Sequence, residues 1–274
     1  SGVQSVAYYQ NLDMFVVGYN NGNLDLIIDT EVVNIADIKR KSINSDKSIY
    51  SITTNNNFAY LGCGFGIVVI DLLRREVSAT WLIGDNGSYV KVNSVVMDGE
   101  FVLAATDEGI FKGNLNDPLV DFSVWEVITN QNLPQSLQWM QNKSFNNLNV
   151  FQGKIYTNYH NYEAENSDTI LVFDNGNWQK FLPEYNDIVS INSNSERLVV
   201  LTKYWAKIFD EDVNEIRHIW RYKINDVDYG PMPQNAAYDT KGNLWIADKR
   251  YGLVYNPEDW ICSSYVINGP DHYE

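Results

Sequence analysis

Short apolar runs alternate with turn residues along the whole chain. In four places an apolar strand ends in a small or polar turn with a glycine, and a second apolar strand follows at once; these hairpins lie at 16–27, 60–70, 103–111 and 246–255. Glycine suits such turns because it adopts positive φ without a steric penalty. The pattern predicts β-hairpins, and no helical period of 3.6 residues competes with it.

Two weaker copies of the hairpin lie between the third and the last strong copies. They occupy 155–173, which has a longer connection, and 200–209, where Ala206 replaces the glycine. Successive hairpins begin about 45 residues apart, a spacing typical of propeller blades. Further strands flank the hairpins, as 49–53 and 76–81 flank the second one. Four strands per repeat predict one blade of a β-propeller.

The sequence therefore predicts an all-β fold, a single β-propeller domain over 1–274 built from four-stranded antiparallel blades. Within the third blade, 92–97 is the predicted inner strand and 122–127 the predicted outer strand. Six blades are visible. They are predicted at about 5–38, 49–87, 90–130, 146–185, 187–225 and 235–274.

Charge restricts the partners of this fold. The chain has 35 acidic and 20 basic residues, a formal net charge of −15. Nucleic acids and anionic membranes both require clustered Lys and Arg, so neither is expected as a partner. No apolar run is long enough for membrane insertion. The chain begins at Ser1 without an apolar leader, so a signal peptide either never existed or lies outside this sequence.

Candidate catalytic chemistry is sparse. Cys63 and Cys262 are expected to be buried free thiols. The three histidines are too far apart in sequence to form a metal-ligand pair, and the acidic clusters 210–212 and 226–228 lack the spaced ligands of a calcium loop. No nucleophile elbow or phosphate loop occurs. The sequence thus predicts no cofactor, no metal and no enzyme, although paired acids for glycoside hydrolysis stay as a third alternative.

Recognition is expected on one face of the propeller, which we call the loop face. It carries the turn between the second and third strands of each blade and the crossovers between blades, including the long segments 131–145, 158–168 and 226–233. Aromatic residues mixed with Asn and carboxylates suit sugar rings or a protein partner, and packing between blades is the alternative explanation. The candidate binding residues are Tyr19, Phe65, Trp139, Tyr159, His160, Tyr162, Trp205, Tyr229 and Tyr251.

Two family resemblances follow from the hairpins. The segment Gly242-Asn243-Leu244-Trp245-Ile246-Ala247-Asp248 resembles the repeat of two-component-regulator propellers of Bacteroidetes, which form sensor ectodomains of hybrid histidine kinases. The segments 17–27, 47–52, 65–72 and 104–110 resemble the first propeller of PorZ-like proteins. This second similarity covers most of the chain and is strongest over about 14–127.

The PorZ-like resemblance implies a surface component of the type IX secretion machinery, associated with the sortase that attaches cargo to anionic lipopolysaccharide. It also implies a seventh blade upstream, whereas the residues alone equally allow a closed ring of six. We therefore expect a non-catalytic scaffold domain at the cell surface, associated with the outer membrane, or in the periplasm. Its expected partner is a protein such as that sortase, or a neutral glycan. The alternative is a glycan-sensing ectodomain of a hybrid two-component regulator.

Overall fold

The protein is almost entirely β-structure. A computed structural model describes residues 2–159, 168–185, 187–224, 227–256 and 263–265. It contains six four-stranded sheets and one two-stranded hairpin. In each four-stranded sheet the strands are hydrogen-bonded in chain order, which is the meander of a propeller blade. The predicted all-β propeller with six four-stranded blades is confirmed.

The chain forms two compact units, and the first consists of Ser1–Leu148 and Gly176–Trp178. It holds blades 1 to 3, a one-turn α-helix, α1 (Asp37–Arg40), and five short 3₁₀-helices at Gln10–Leu12, Asp85–Gly87, Phe122–Val124, Ile128–Asn130 and Gln135–Met140. The strands of these blades are β1 (Val3–Tyr9), β2 (Met14–Tyr19), β3 (Leu24–Ile28), β4 (Glu31–Ile35), β5 (Ile49–Asn55), β6 (Phe58–Cys63), β7 (Gly66–Asp71), β8 (Glu76–Trp81), β9 (Val92–Asp98), β10 (Phe101–Thr106), β11 (Gly109–Asn114) and β12 (Glu126–Val127).

The second unit consists of Asn149–Asn175 and Gln179–Glu274. It holds blades 4 to 6, apart from the first residue of β13 and the first two of β16, together with the two-stranded hairpin β21–β22. The strands are β13 (Leu148–Phe151), β14 (Lys154–Tyr159), β15 (Asp168–Asp174), β16 (Asn177–Tyr185), β17 (Ile188–Ser193), β18 (Leu198–Thr202), β19 (Ala206–Phe209), β20 (Glu215–Ile219), β21 (Tyr222–Ile224), β22 (Val227–Tyr229), β23 (Pro233–Tyr238), β24 (Leu244–Asp248), β25 (Gly252–Asn256) and β26 (Ser263–Tyr265).

Neighbouring blades pack face to face, and this explains the near-continuous apolar runs of the middle strands. Leu61 and Val68 of blade 2 lie in one cluster with Val16 and Leu24 of blade 1. The adjacent residues of blade 2 point the other way, because successive side chains of a strand alternate between its faces. They pack with blade 3: Tyr60, Ile67 and Val69 meet Val102, Ala104 and Phe111. Both faces of blade 2 are therefore buried.

The second unit repeats this arrangement around blade 5. Val200 and Phe209 pack with Tyr156 of blade 4. The adjacent Val199 packs with Ile246 of blade 6. In both units, therefore, successive apolar side chains of the middle strands point alternately toward the two neighbouring blades.

The outer strand of blade 3 is shorter than predicted. The sequence suggested a strand over 122–127, but Phe122–Val124 form a 3₁₀ turn and β12 contains only two residues. The carboxylate of Asp121 accepts a hydrogen bond from the Ser123 amide at 2.9 Å and caps this turn. Trp125 then turns inward, where its Nε1 donates to the carbonyl of Leu119 at 3.1 Å. Local capping therefore overrides the apolar alternation.

The crossover before blade 6 also differs from its prediction as an irregular loop. Within it, β22 pairs with β21 as a small antiparallel hairpin, in which Tyr222 lies opposite Tyr229. Arg221 and Asp228 form an ion pair at 3.0 Å beside it. In the part of the chain that the structure describes, no helix is long and apolar enough to cross a membrane.

Candidate functional site on the loop face

One backbone hydrogen bond recurs at the loop face and anchors its turns. In five blades, a backbone N–H of the turn between the second and third strands donates to a carbonyl. The acceptor is the residue directly before the inner strand of the same blade. The pairs are Asn20 to Gly2 (3.2 Å), Gly64 to Ser48 (3.3 Å), Asp107 to Lys91 (3.2 Å), Lys203 to Asp187 (3.1 Å) and Lys249 to Met232 (3.0 Å). Each turn is thereby fixed to the inner strand of its own blade.

A β-bulge follows this bond at the start of the inner strands. The pairing register skips the second residue of β1, β5, β9, β17 and β23. A bulge leaves its extra residue unpaired and re-aims its side chain. The skipped residues are Gln4, Tyr50, Asn93, Val189 and Gln234. Five inner strands therefore present one side chain each at their loop-face end, and four of these five side chains can form hydrogen bonds.

Tyr50 belongs to a polar cluster in the first unit. Its hydroxyl donates to the carboxylate of Asp46, which also accepts from the amide and hydroxyl of Ser48 at 2.9 and 2.8 Å. The ammonium group of Lys91 lies 4.3 Å from the centre of the Tyr50 ring. Burial would raise the pKa of Asp46, but the hydrogen bonds from Tyr50 and Ser48 outweigh it and lower that pKa. Burial and the bond to Asp46 raise the pKa of Tyr50, so it remains a donor.

Asn93 ties a second part of the cluster to the long crossover 131–145. Its side-chain amide donates to Asp107 at 3.0 Å and to the carbonyl of Phe145 at 2.9 Å. Ser144 donates its hydroxyl to the same Asp107 oxygen at 2.9 Å. A carboxylate, an amide and a hydroxyl are thus held together at the edge of blade 3. We call Asp46, Tyr50, Lys91, Asn93 and Asp107 the polar cluster.

Such a cluster is suited to recognition of polar groups. It offers a cation, carboxylates and an amide on an anchored backbone, and the side chains of Tyr50, Lys91 and Asn93 are half-buried.

In the described ranges no group of three His, Cys, Asp or Glu side chains is placed to hold a metal ion. Burial raises the pKa of the Cys63 thiol, so this group is a neutral core residue, and Cys262 lies outside the described residues.

The first unit contains three of the predicted binding residues. Tyr19 is half-buried and donates its hydroxyl to Asp25 at 2.8 Å. Trp139 is half-buried and donates Nε1 to the Ser136 carbonyl at 3.0 Å. Phe65 is fully buried and its ring packs edge-on against Tyr89, with 6.2 Å between the ring centroids. Phe65 is therefore a core residue in this structure. Tyr19 and Trp139 are the accessible candidates of the first unit.

The second unit brings two predicted residues together. Tyr229 and Tyr251 have ring centroids 5.1 Å apart, and Tyr251 also packs edge-on against buried Tyr222 at 6.2 Å. Asp248 positions Tyr251, because its carboxylate accepts a hydrogen bond from the Tyr251 amide at 3.1 Å.

The remaining predicted residues are separate from this tyrosine pair. Trp205 is half-buried, with its ring centroid 5.4 Å from that of His218. Tyr159 is half-buried at the end of β14. His160 and Tyr162 lie outside the described residues.

The polar cluster was not predicted from the sequence. The signal was the recurrence of a polar or aromatic residue directly after the first apolar residue of an inner strand, as in Ile49-Tyr50 and Val92-Asn93. The acidic cluster at 210–212 is a turn as expected: Asp210 accepts hydrogen bonds from the Asn214 amide at 2.8 Å and from its side chain at 3.2 Å. Asp226 of the other acidic cluster lies outside the described residues.

Comparison with known proteins assigns the first part of the chain. Residues 1–126 match the family model of the PorZ N-terminal β-propeller domain of the type IX secretion system. Over these residues the chain is similar to that family. This confirms the resemblance read from the hairpins of blades 1 to 3. The matched segment includes the inner strands that carry Tyr50 and Asn93.

Solved structures support the propeller fold of the chain. The extracellular domains of the putative hybrid two-component systems BT3049 and BT4673 of B. thetaiotaomicron superpose with a TM-score of 0.69 each, at 11% and 14% identity. The alignments cover 97% and 99% of this chain but 35% and 34% of those proteins. At this identity the likeness shows the propeller fold alone.

PorZ of Porphyromonas gingivalis, described as an essential bacterial surface component of the type IX secretion system, is a further structural match. It aligns at 16% identity and a TM-score of 0.43, over 98% of this chain and 54% of that one. That superposition is too loose for any argument about residues. The chain spans about half of PorZ and about a third of the two-component ectodomains. Curated protein sequences give no match to the chain.

Proposed function

We propose that this propeller is a non-catalytic interaction domain of a type IX secretion and cell-surface attachment complex. The observation that carries the proposal is the PorZ family match over 1–126. Its proposed partner is a protein of that machinery, such as the sortase, and its proposed place is the cell surface or the periplasm. In this proposal the loop face of the first unit makes the contact.

The geometry of the polar cluster supports a contact surface rather than a reaction centre. Its two carboxylates are engaged in fixed hydrogen bonds with neighbouring side chains, as Asp107 is with Asn93 and Ser144. The hydrogen bonds of Asp46 lower its pKa, so that it stays ionised and does not act as a general acid near neutral pH. An ionised carboxylate and a lysine at fixed positions give orientation and specificity to a protein contact.

A glycan-sensing ectodomain is the second candidate function. The shared propeller fold of the two-component ectodomains favours it, and so does the Tyr229–Tyr251 pair, because tyrosine rings offer an apolar face and a polar edge. A kinase domain and a membrane span encoded further along the gene would support this candidate. Their absence from the complete gene would remove it.

A charge reversal on the loop face tests the secretion proposal in the source bacterium. Glu108 is exposed in the turn between β10 and β11, next to Asp107. Glu100 is exposed at the opposite end of β10 and is a matched control for charge and hairpin. We expect Glu108→Lys in the full-length gene to reduce surface display of secreted cargo, and Glu100→Lys to leave it at the wild-type level.

Two results would contradict the proposal. One is normal display of cargo when the whole gene is deleted, since the machinery would then not need this protein. The other is an equal effect of the two substitutions at equal protein abundance, which would remove the loop face as the contact surface.

A further inference from the structure

Three partly exposed aromatic rings lie at one end of blade 5. Tyr204 and Trp205 occupy the turn between β18 and β19, and Trp220 follows β20 directly. Ala206 pairs with Ile219 across β19 and β20, so Trp205 and Trp220 flank the same residue pair. Tyr204 is 53% exposed and Trp220 is 55% exposed, whereas Trp205 is half-buried.

Each of these rings has a cation over it, and each cation is held by a carboxylate. Lys203 lies 5.3 Å from the centre of the Tyr204 ring, Lys207 lies 5.6 Å from that of Trp205, and Arg221 lies 4.6 Å from that of Trp220. The ion pairs are Lys203–Asp187 at 3.8 Å, Lys207–Glu215 at 2.6 Å and Arg221–Asp228 at 3.0 Å. We call these the three triads of blade 5.

The triads have two physical consequences. A cation held by a carboxylate restrains the ring beneath it, which lowers the entropy lost when a ligand stacks on that ring. Each triad also pairs one positive with one negative charge. The three triads together therefore carry no net charge, although the chain as a whole carries −15.

We propose that the triads of blade 5 bind an uncharged polysaccharide by stacking sugar rings on Trp220, Tyr204 and the accessible part of Trp205. Aromatic side chains suit this ligand because their faces are apolar while Trp and Tyr keep a polar edge. An anionic polymer is disfavoured because the three cations already face carboxylates of the same chain. A protein partner is disfavoured because each ring has a charged pair beside it, whereas the core of a protein interface is depleted in charge.

This inference does not rest on the proposed secretion role, and the two can fail separately. The Tyr229–Tyr251 pair is not part of it. Trp205 was a candidate from its sequence position, but Tyr204 and Trp220 were not. Their shared feature, a cation and a carboxylate for each ring, emerges only when the starts of β17 and β19 and the strands β20 and β22 are placed together.

Affinity electrophoresis of the purified chain tests the inference directly. Native gels would contain one of five neutral polysaccharides (dextran, laminarin, mannan, xylan or arabinogalactan) or one of two anionic ones (alginate or polygalacturonate). We expect at least one neutral polysaccharide to retard the wild type equally at low and high salt, because salt does not screen the binding of an uncharged ligand. Trp220→Ala should weaken this binding by about fivefold to tenfold, the loss of one stacked ring.

Tyr89→Ala is the matched control, since Tyr89 is a 47% exposed aromatic residue of the first unit. It should bind like the wild type. Tyr204→Ala provides a second test variant, and an unchanged melting temperature of both test variants would show that they fold. The inference is overturned if none of the neutral polysaccharides retards the wild type, if Trp220→Ala is retarded as strongly as the wild type, or if only the anionic polymers bind and high salt abolishes that binding.

Discussion

Individual carboxylates shape the turns of this propeller by accepting several hydrogen bonds each. Asp239 in blade 6 accepts from the side chain of Asn243 at 2.8 Å and from Trp245 Nε1 at 3.0 Å. Its other oxygen accepts from the amides of Lys241 and Asn243, both at 2.9 Å. These donors, led by the side chains of Asn243 and Trp245, hold the pKa of Asp239 far below its ordinary value. Ionised Asp239 thus organises the turn between β23 and β24.

The lowered pKa of Asp239 predicts acid sensitivity. Because the folded pKa lies below the unfolded one, the stabilisation is complete above about pH 4 and is lost as the pH falls through the folded value. We expect Asp239→Asn to melt at a lower temperature than the wild type at pH 7, with the difference shrinking toward pH 3. Thermal melting across this range measures it. Asp29→Asn, in an exposed turn of blade 1, is the control, and a gap that stays constant or widens at low pH would refute the assignment.

Gly66 has a backbone conformation that residues with a Cβ atom rarely adopt. Its φ is +144°, and a Cβ atom placed on it would lie 2.3 Å from the carbonyl oxygen of Trp81. We expect Gly66→Ala to lower the free energy of unfolding by at least about 1 kcal/mol, because backbone cannot move aside as a flexible side chain can. Urea unfolding measures this. Gly230→Ala, with nothing within 4 Å of its added Cβ, should be nearly neutral, and equal losses in both variants would contradict the steric explanation.

The blade is the repeating element of this fold. The β-bulge of its inner strand is the feature that is hardest to predict from the sequence. The hairpins could be read from sequence because both faces of middle strands such as β6 and β7 are buried, which leaves apolar runs such as 59–63 between turn residues. The bulge at the second residue of the inner strand could not, since it depends on pairing with the neighbouring strand. Without the bulge, Tyr50 and Asn93 appear as ordinary strand residues, and the polar cluster stays hidden.

Removal of the Asn93 amide should loosen the end of the long crossover. Asn93→Ala deletes the bonds to Asp107 and to the Phe145 carbonyl, for which we expect a loss of about 1–2 kcal/mol and faster hydrogen exchange at the Phe145 amide. Gln234→Ala is the control at the equivalent bulge of blade 6, because its side chain bonds to the adjacent carbonyls of Met232 and Pro233 and these bonds do not bridge to a distant crossover. If the Phe145 amide exchanges at the wild-type rate in Asn93→Ala, the bridge does not hold the crossover.

At the scale of the whole molecule, the repeat predicted the architecture better than the site. The hairpin spacing predicted the six blades. The prediction for the outer strand of blade 3 was wrong because the Asp121 cap starts a 3₁₀ turn. For an aromatic residue in a loop-face turn, the sequence allowed either recognition at the surface or packing between blades. Phe65 packs, because contact with Tyr89 of the next crossover buries its ring. Side-chain direction in a turn depends on neighbours that are distant in sequence.

The proposed function places a protein of the secretion machinery on the loop face of the first unit. Site-specific photocrosslinking in living cells tests it most directly, with a photoreactive amino acid at position 108 or, as the control, at position 100 of the full-length protein. Position 108 should give an adduct that contains a type IX secretion component, and position 100 should not. No adduct at position 108, or the same adduct at both positions, would show that the loop face of the first unit does not make this contact.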